Sequence, residues 1–168
     1  MKNIALVGFM GTGKSVVAKT LADKLGMAYV ATDEVVVRRE GGKPIHDIFK
    51  EKGEPYFRDV EAQAIREAAE RTNIVIDCGG GTVIREENLK HLKRSGVVIC
   101  LTATPEVIYS RVKDHRHRPL LNVPDPQAAI KELLTERAGF YGKADYTIDT
   151  SHLDVEGVIE RILKVVKR

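Results

Sequence analysis

The chain reads as a three-layer α/β domain on a five-stranded parallel sheet, and three observations predict it. Short apolar runs alternate with amphipathic stretches of helical period along the whole length. Those runs are continuous in their apolar character, as strands covered on both faces require. The first, Ile4-Ala5-Leu6-Val7, leads straight into Gly8-Phe9-Met10-Gly11-Thr12-Gly13-Lys14-Ser15, a G-x-x-x-x-G-K-S pattern followed by a helical period.

Taken in order, the helix after this loop places Val16, Val17, Leu21 and Leu25 at near-3.6 spacing, and Gly26 stops it. Met27 to Ala31 reads as a second short buried strand, ending in Thr32-Asp33, with Asp33 at its carboxyl end. Glu34 to Glu40 is helical until Gly41-Gly42-Lys43-Pro44 breaks it. Ile45 starts a short helix that runs to Gly53, and Glu54-Pro55 opens a longer one, proline being well tolerated in a first turn. Phe57, Val60, Ala64 and Ile65 share one side of that helix, and Arg58 and Glu61, three apart, share another.

Asn73 to Asp77 is a third strand, an apolar run closed by a carboxylate, and Gly79-Gly80-Gly81 follows. Glu86 to Ser95 is an amphipathic helix ended by Gly96, and Val97 to Leu101 a fourth buried strand. Thr104-Pro105 gives the next helix a cap and a first-turn proline, and that helix ends near Lys113. Residues 114–126 have no periodicity and hold three prolines, two histidines and two arginines, as a long polar lid does. Gln127 to Tyr141 returns to helix, Tyr146 to Asp149 is an edge-like fifth strand, and Val155 to Val166 is a closing amphipathic helix. No repeat, linker or composition break divides the chain, so residues 1–168 are expected to form a single domain.

Bulk properties exclude several function classes. With 43% hydrophobic and 30% charged residues the composition is that of an ordinary globular protein. A formal net charge of +3, with dispersed basic residues, argues against a nucleic-acid partner. No apolar run approaches the roughly 20 residues that span a bilayer, so no membrane association is expected. Cys78 and Cys100 both lie beside apolar strand runs and read as buried free thiols, and the chain starts without a secretion leader. A reducing, cytoplasmic location follows.

The glycine loop carries the chemistry. Its glycines let successive backbone N–H groups curl around a polyphosphate, and the helix N-terminus adds partial positive charge. The nucleotide-binding set is therefore Gly11, Thr12, Gly13, Lys14, Ser15 and Val16, with Lys14 on the outer phosphates and the Ser15 hydroxyl on a magnesium ion. Nothing resembles the N-K-x-D element that reads guanine, and the polar loop bearing Arg116 and Arg118 suits a lid that excludes water. A kinase acting on a small molecule is the reading these features favour.

Beyond the loop, the chain resembles shikimate kinase over nearly its whole length. The matching pieces are Thr32-Asp33, Ile45 to Phe49, Gly53-Glu54, Phe57-Arg58 with Glu61, and Gly79-Gly80-Gly81. Arg111, Arg118-Pro119-Leu120-Leu121, Arg137 with Tyr141, Ala144-Asp145 and Asp149-Thr150 continue the pattern. The resemblance implies a nucleoside-monophosphate-kinase-like fold with strand order 2-3-1-4-5. It implies transfer of the ATP γ-phosphoryl group to the 3-hydroxyl of shikimate, with Mg²⁺ as cofactor. Within that pattern residues 33–61 form the substrate segment and 114–126 the lid. The resemblance puts Lys14, Asp33 and Arg118 in catalysis, with Arg111 stacking on adenine and Arg118 on the transferring phosphate. Arg58 and Arg137 match the positions that clamp the substrate carboxylate, a job suited to planar guanidinium forks. Asp33 and the amides of Gly79, Gly80 and Gly81 serve the hydroxyls, and Asp33 accepts the attacking hydroxyl's proton. A monomer is expected.

Two departures bear on the metal. The family has an aspartate two places before Asp33, where this chain has Ala31, and Asp77 stands where the family shows a small hydroxyl or similar residue. Asp77 is thus expected either to approach the magnesium through its water shell or to cap the glycine turn. Gly41-Gly42-Lys43-Pro44 is also about one residue longer than the common pattern. The nearest rival is a gluconate-type kinase of the same fold, and a rival of another class is a non-catalytic nucleotide-sensing domain. The Phe57-Arg58, triple-glycine and Arg137 set argues against the first, and the presence of Asp33 and Arg118 against the second.

Overall fold

Each strand of the sheet sends alternate side chains to opposite faces, and in this chain both faces are covered. Ile4 and Leu6 of β1 (Asn3–Gly8) join one apolar cluster, whereas Ala5 and Val7 join the other. The computed structural model describes residues 2–114 and 122–167. Arg118 and most of the expected lid, 114–126, therefore lie outside the described residues.

After β1 come α1 (Lys14–Leu25), β2 (Ala28–Ala31), α2 (Thr32–Arg39), α3 (Ile45–Lys52), α4 (Glu54–Ala69) and β3 (Ile74–Asp77). A short 3₁₀ turn (Thr82–Ile84) precedes α5 (Glu86–Ser95), β4 (Gly96–Thr102), α6 (Pro105–Val112), α7 (Pro126–Tyr141), β5 (Tyr146–Asp149) and α8 (Val155–Val166). The strands form one parallel sheet in the order β2-β3-β1-β4-β5. Helices α1 and α8 cover one face through Val17, Leu21, Ile159 and Ile162. The other face lies under α4 to α7, whose Ile65, Leu92, Ile108 and Ile130 are fully buried. Each such side chain contributes about 1.5–3 kcal/mol by leaving water. A third, smaller cluster of Val36, Ile48, Phe57 and Ala64 holds α2, α3 and α4 together beside the sheet. Among the described residues no helix is long and apolar enough to cross a membrane.

The structure corrects three local expectations. The β2 strand is not buried, because it is the sheet's outer strand: Ala28 is exposed, and Tyr29 and Val30 are half-buried. Asp33 lies in the first turn of α2, since the chain turns helical at Thr32 immediately after the extended Ala31. Val16 is not on the apolar face of α1; it is 56% exposed at the mouth of the cavity described next.

Candidate active site

The carboxyl ends of β1, β3 and β2 open into a cavity of about 530 Å³ lined by the glycine loop, Asp33, Asp77 and the first two glycines of the triple turn. Such a crevice is where open α/β sheets take ligands. Gly11 (φ 75°) and Gly13 (φ 90°) occupy the left-handed region that bends the loop, and Gly13 caps α1. The loop leans on α6: a Cβ on Gly11 would meet Val112 and Ile108.

Lys14 is half-buried and folds back, its Nζ donating to Gly8 O at 2.7 Å and to Phe9 O at 3.0 Å. Desolvation lowers its pKa below the ordinary 10.5, and the carboxylates of Asp77 and Asp33 oppose that shift. Ser15 Oγ donates to Asp77 Oδ2 at 2.7 Å, and Tyr29 Oη donates to the same oxygen at 3.1 Å. Burial, together with the Asp77 carboxylate, raises the Tyr29 phenol far above its ordinary value. The Gly79 amide donates to Thr32 Oγ1 at 3.3 Å, so Thr32 serves the start of the glycine turn.

The sheet register relates the two positions at which the chain departs from the family pattern. Ala31 pairs with Asp77 across β2 and β3, so the two stand side by side at the same sheet edge. Among the described residues no group of three or more His, Cys, Asp or Glu side chains is placed to hold a metal ion. One hydroxyl and one carboxylate in contact are nevertheless a donor set that suits Mg²⁺. That ion takes hard oxygen ligands, keeps several waters and uses one or two carboxylates beside substrate phosphates.

The triple glycine is the hub of a second group of charged side chains. A Cβ on Gly79 would stand 2.7 Å from Asp33 Oδ1 and 2.9 Å from Glu61 Oε2. On Gly81 it would run into the Arg58 guanidinium, and on Gly80 it would come within 3.5 Å of Arg137 Nη1. Absence of side chains thus lets two carboxylates and two arginines converge on one turn. Arg58 is held from α4 itself: Nη1 donates to Glu61 Oε1 at 2.9 Å, Nη2 reaches Glu54 Oε1 at 3.3 Å, and the group lies over the rings of Phe57 and Phe49. Burial pushes the Glu61 carboxyl above its ordinary pKa, against the pull of Arg58. Arg137 of α7 lies over the Phe9 ring, and its Nε is buried with no partner among the described residues. Tyr141 Oη, one turn further on, donates to Gly80 O at 2.8 Å.

Two further residues belong to this end of the sheet. Tyr29 gave no signal in the sequence, because its tie to Asp77 depends on strand register. Thr150, 2% exposed, accepts from Arg111 and lies against the phosphate loop; its place in the Asp149-Thr150 piece of the family pattern was the cue in the sequence, without a role attached.

Comparison with known proteins gives the family and the fold. The shikimate kinase family model matches residues 10–167. The chain is 48% identical over 168 residues to the shikimate kinase of Thermodesulfovibrio yellowstonii, covering all of this chain and 96% of that one. It is 42% identical over 168 residues to the shikimate kinase of Thermoanaerobacter pseudethanolicus, of which it covers 98%. Among solved structures, shikimate kinase from Acinetobacter baumannii in complex with shikimate superposes with a TM-score of 0.93 at 33% identity, covering 99% of this chain and 93% of that one. The Aquifex aeolicus shikimate kinase structure gives a TM-score of 0.85 at 38% identity, with coverage of 98% and 96%.

Proposed function

The chain belongs to the shikimate kinase family, and from that premise we infer that it transfers the γ-phosphoryl group of ATP to the 3-hydroxyl of shikimate, giving 3-phosphoshikimate and ADP. The observation that carries this reading is the convergence of Asp33, Arg58 and Arg137 on a glycine turn beside a complete phosphate loop.

Shikimate carries one carboxylate and three hydroxyls, and the groups around the turn are of matching kind. Arg58 and Arg137 hold the carboxylate with planar donors, and Glu61 and the two phenylalanines keep Arg58 aimed. Hydroxyls take Asp33 and the amides of Gly80 and Gly81, the Gly79 amide being engaged by Thr32. Asp33 accepts the proton of the attacking hydroxyl as the hydroxyl's oxygen forms the bond to the γ-phosphorus and the bond from that phosphorus to the β-phosphate oxygen breaks, releasing ADP. On the nucleotide side, Lys14 leaves the loop carbonyls to meet the outer phosphates, while the amides of the loop cradle them. Arg111 contributes a flat face to adenine. Arg118 approaches the transferring phosphate from the lid, a role that rests on the match of its motif to the family.

Ser15 and Asp77 are the residues that would hold magnesium, Ser15 through its hydroxyl and Asp77 across the ion's water shell. Held there, magnesium would supply positive charge to offset that of the nucleotide's phosphates. One chain carries every group named, so a monomer suffices. The test is ADP release in a coupled assay with shikimate, gluconate and nucleoside monophosphates as acceptors. Shikimate alone should support turnover; gluconate turning over as fast would overturn the assignment.

A further inference from the structure

The phosphate loop is held from outside as well as from within. Arg111 of α6 donates from Nη1 to Gly11 O at 3.0 Å and to Thr150 Oγ1 at 3.0 Å, and from Nη2 to Thr150 O at 2.8 Å. The Thr150 hydroxyl, which carries one proton, lies 3.1 Å from Thr12 O and 3.0 Å from Thr102 O at the end of β4. Thr150 N donates to Thr102 O at 2.8 Å, which fixes the residue to the sheet. Two consecutive loop carbonyls, Gly11 O and Thr12 O, thus lie within hydrogen-bond reach of one residue pair anchored outside the loop, with the Thr150 proton shared between Thr12 O and Thr102 O.

The consequence follows from peptide geometry. In a trans peptide the C=O and the next N–H point in opposite directions, and this chain has no cis peptide among the described residues. Holding Gly11 O and Thr12 O on the outer side therefore turns the N–H groups of Thr12 and Gly13 to the opposite side of their peptides, away from Arg111 and Thr150, and Gly13 itself lines the cavity. Gly11 and Gly13, both left-handed, would otherwise give this segment wide conformational freedom.

We propose that Thr150 is a positioning residue for the nucleotide: with Arg111 it fixes the orientation of the Thr12 and Gly13 amides that receive the phosphates. The proposal rests on the reading that this loop binds ATP. Thr150→Val keeps the shape and removes the hydroxyl, whereas Thr150→Ser keeps the hydroxyl. Calorimetry with ADP in the absence of magnesium reads the loop alone. Thr150→Val should weaken ADP binding roughly three- to tenfold, the affinity equivalent of one lost hydrogen bond. It should raise KM for ATP more than it lowers kcat, leave the Kd for shikimate unchanged, and be restored by Thr150→Ser. A structural role alone would lower the melting temperature with ADP affinity intact, or weaken both ligands alike, and either result overturns the proposal. If Thr150→Val fails to fold, Thr150→Ala must show the same selective loss for ADP. Wild-type protein that binds no ADP would overturn the nucleotide reading and this inference with it; wild-type affinity in the folded variants overturns the inference alone.

Discussion

Lys14 shows how a single residue's surroundings set up its chemistry. Its ammonium is satisfied by two loop carbonyls and partly desolvated, and its pKa is lowered from 10.5. A polyphosphate favours the charged form, so nucleotide binding should bring the pKa back up. In the window between the lowered value and 10.5, binding must then take up a proton, and affinity must fall as pH rises through it. Calorimetry in two buffers of different ionisation enthalpy within that window measures the uptake, and proton release would contradict it. For Arg58 and Arg137, truncation of either to alanine should weaken shikimate binding by about 1.5–3 kcal/mol, the range for a hydrogen bond to a charged group. Lysine should not fully restore it, because the fork is lost. Asp77 makes a sharper case. If it helps hold magnesium, Asp77→Asn should raise the magnesium concentration needed for half-maximal rate and weaken Mn²⁺ binding read by electron paramagnetic resonance. Ala31→Asp, on the adjoining strand position, should partly restore both. A lower melting temperature with unchanged metal dependence would return Asp77 to a purely structural part.

At the scale of elements, the glycine turn after β3 decides what α4 and α7 can bring to the site. Gly81→Ala would push its methyl group into the Arg58 guanidinium, so it should raise the Kd for shikimate while leaving that for ADP near the wild-type value. Equal losses for both ligands would mean that the turn had shifted as a whole. Most elements were legible in the sequence because their signals are local. Gly26 in the left-handed conformation ends α1, the Thr104 side chain caps α6, and the apolar period of α8 runs the length of the observed helix. The misreadings arose where position in the sheet decides. Nothing within Ala28–Ala31 says that this strand lies at an edge, and α1 spacing alone does not say that Val16 faces the cavity mouth.

For the whole molecule, parallel order is what assembles the site. Residues as far apart in the sequence as Asp33 and Arg137, with Arg58 and Gly81 between them, converge because β3 lies between β2 and β1 and sends its carboxyl end into the same crevice. The residue types were legible in the sequence through the loop pattern and the family's scattered pieces. Their partners were not: Tyr29 with Asp77, Arg111 with Gly11 O, and Tyr141 with Gly80 O depend on register and on helix placement, which no local pattern encodes. The central claim is that this assembly phosphorylates one hydroxyl of one small acid. Phosphorus NMR of the product from ATP and shikimate tests it most directly. The account predicts a single phosphomonoester whose phosphorus couples to the proton on C3 of the ring; inorganic phosphate alone, or a signal coupled to another ring position, would contradict it.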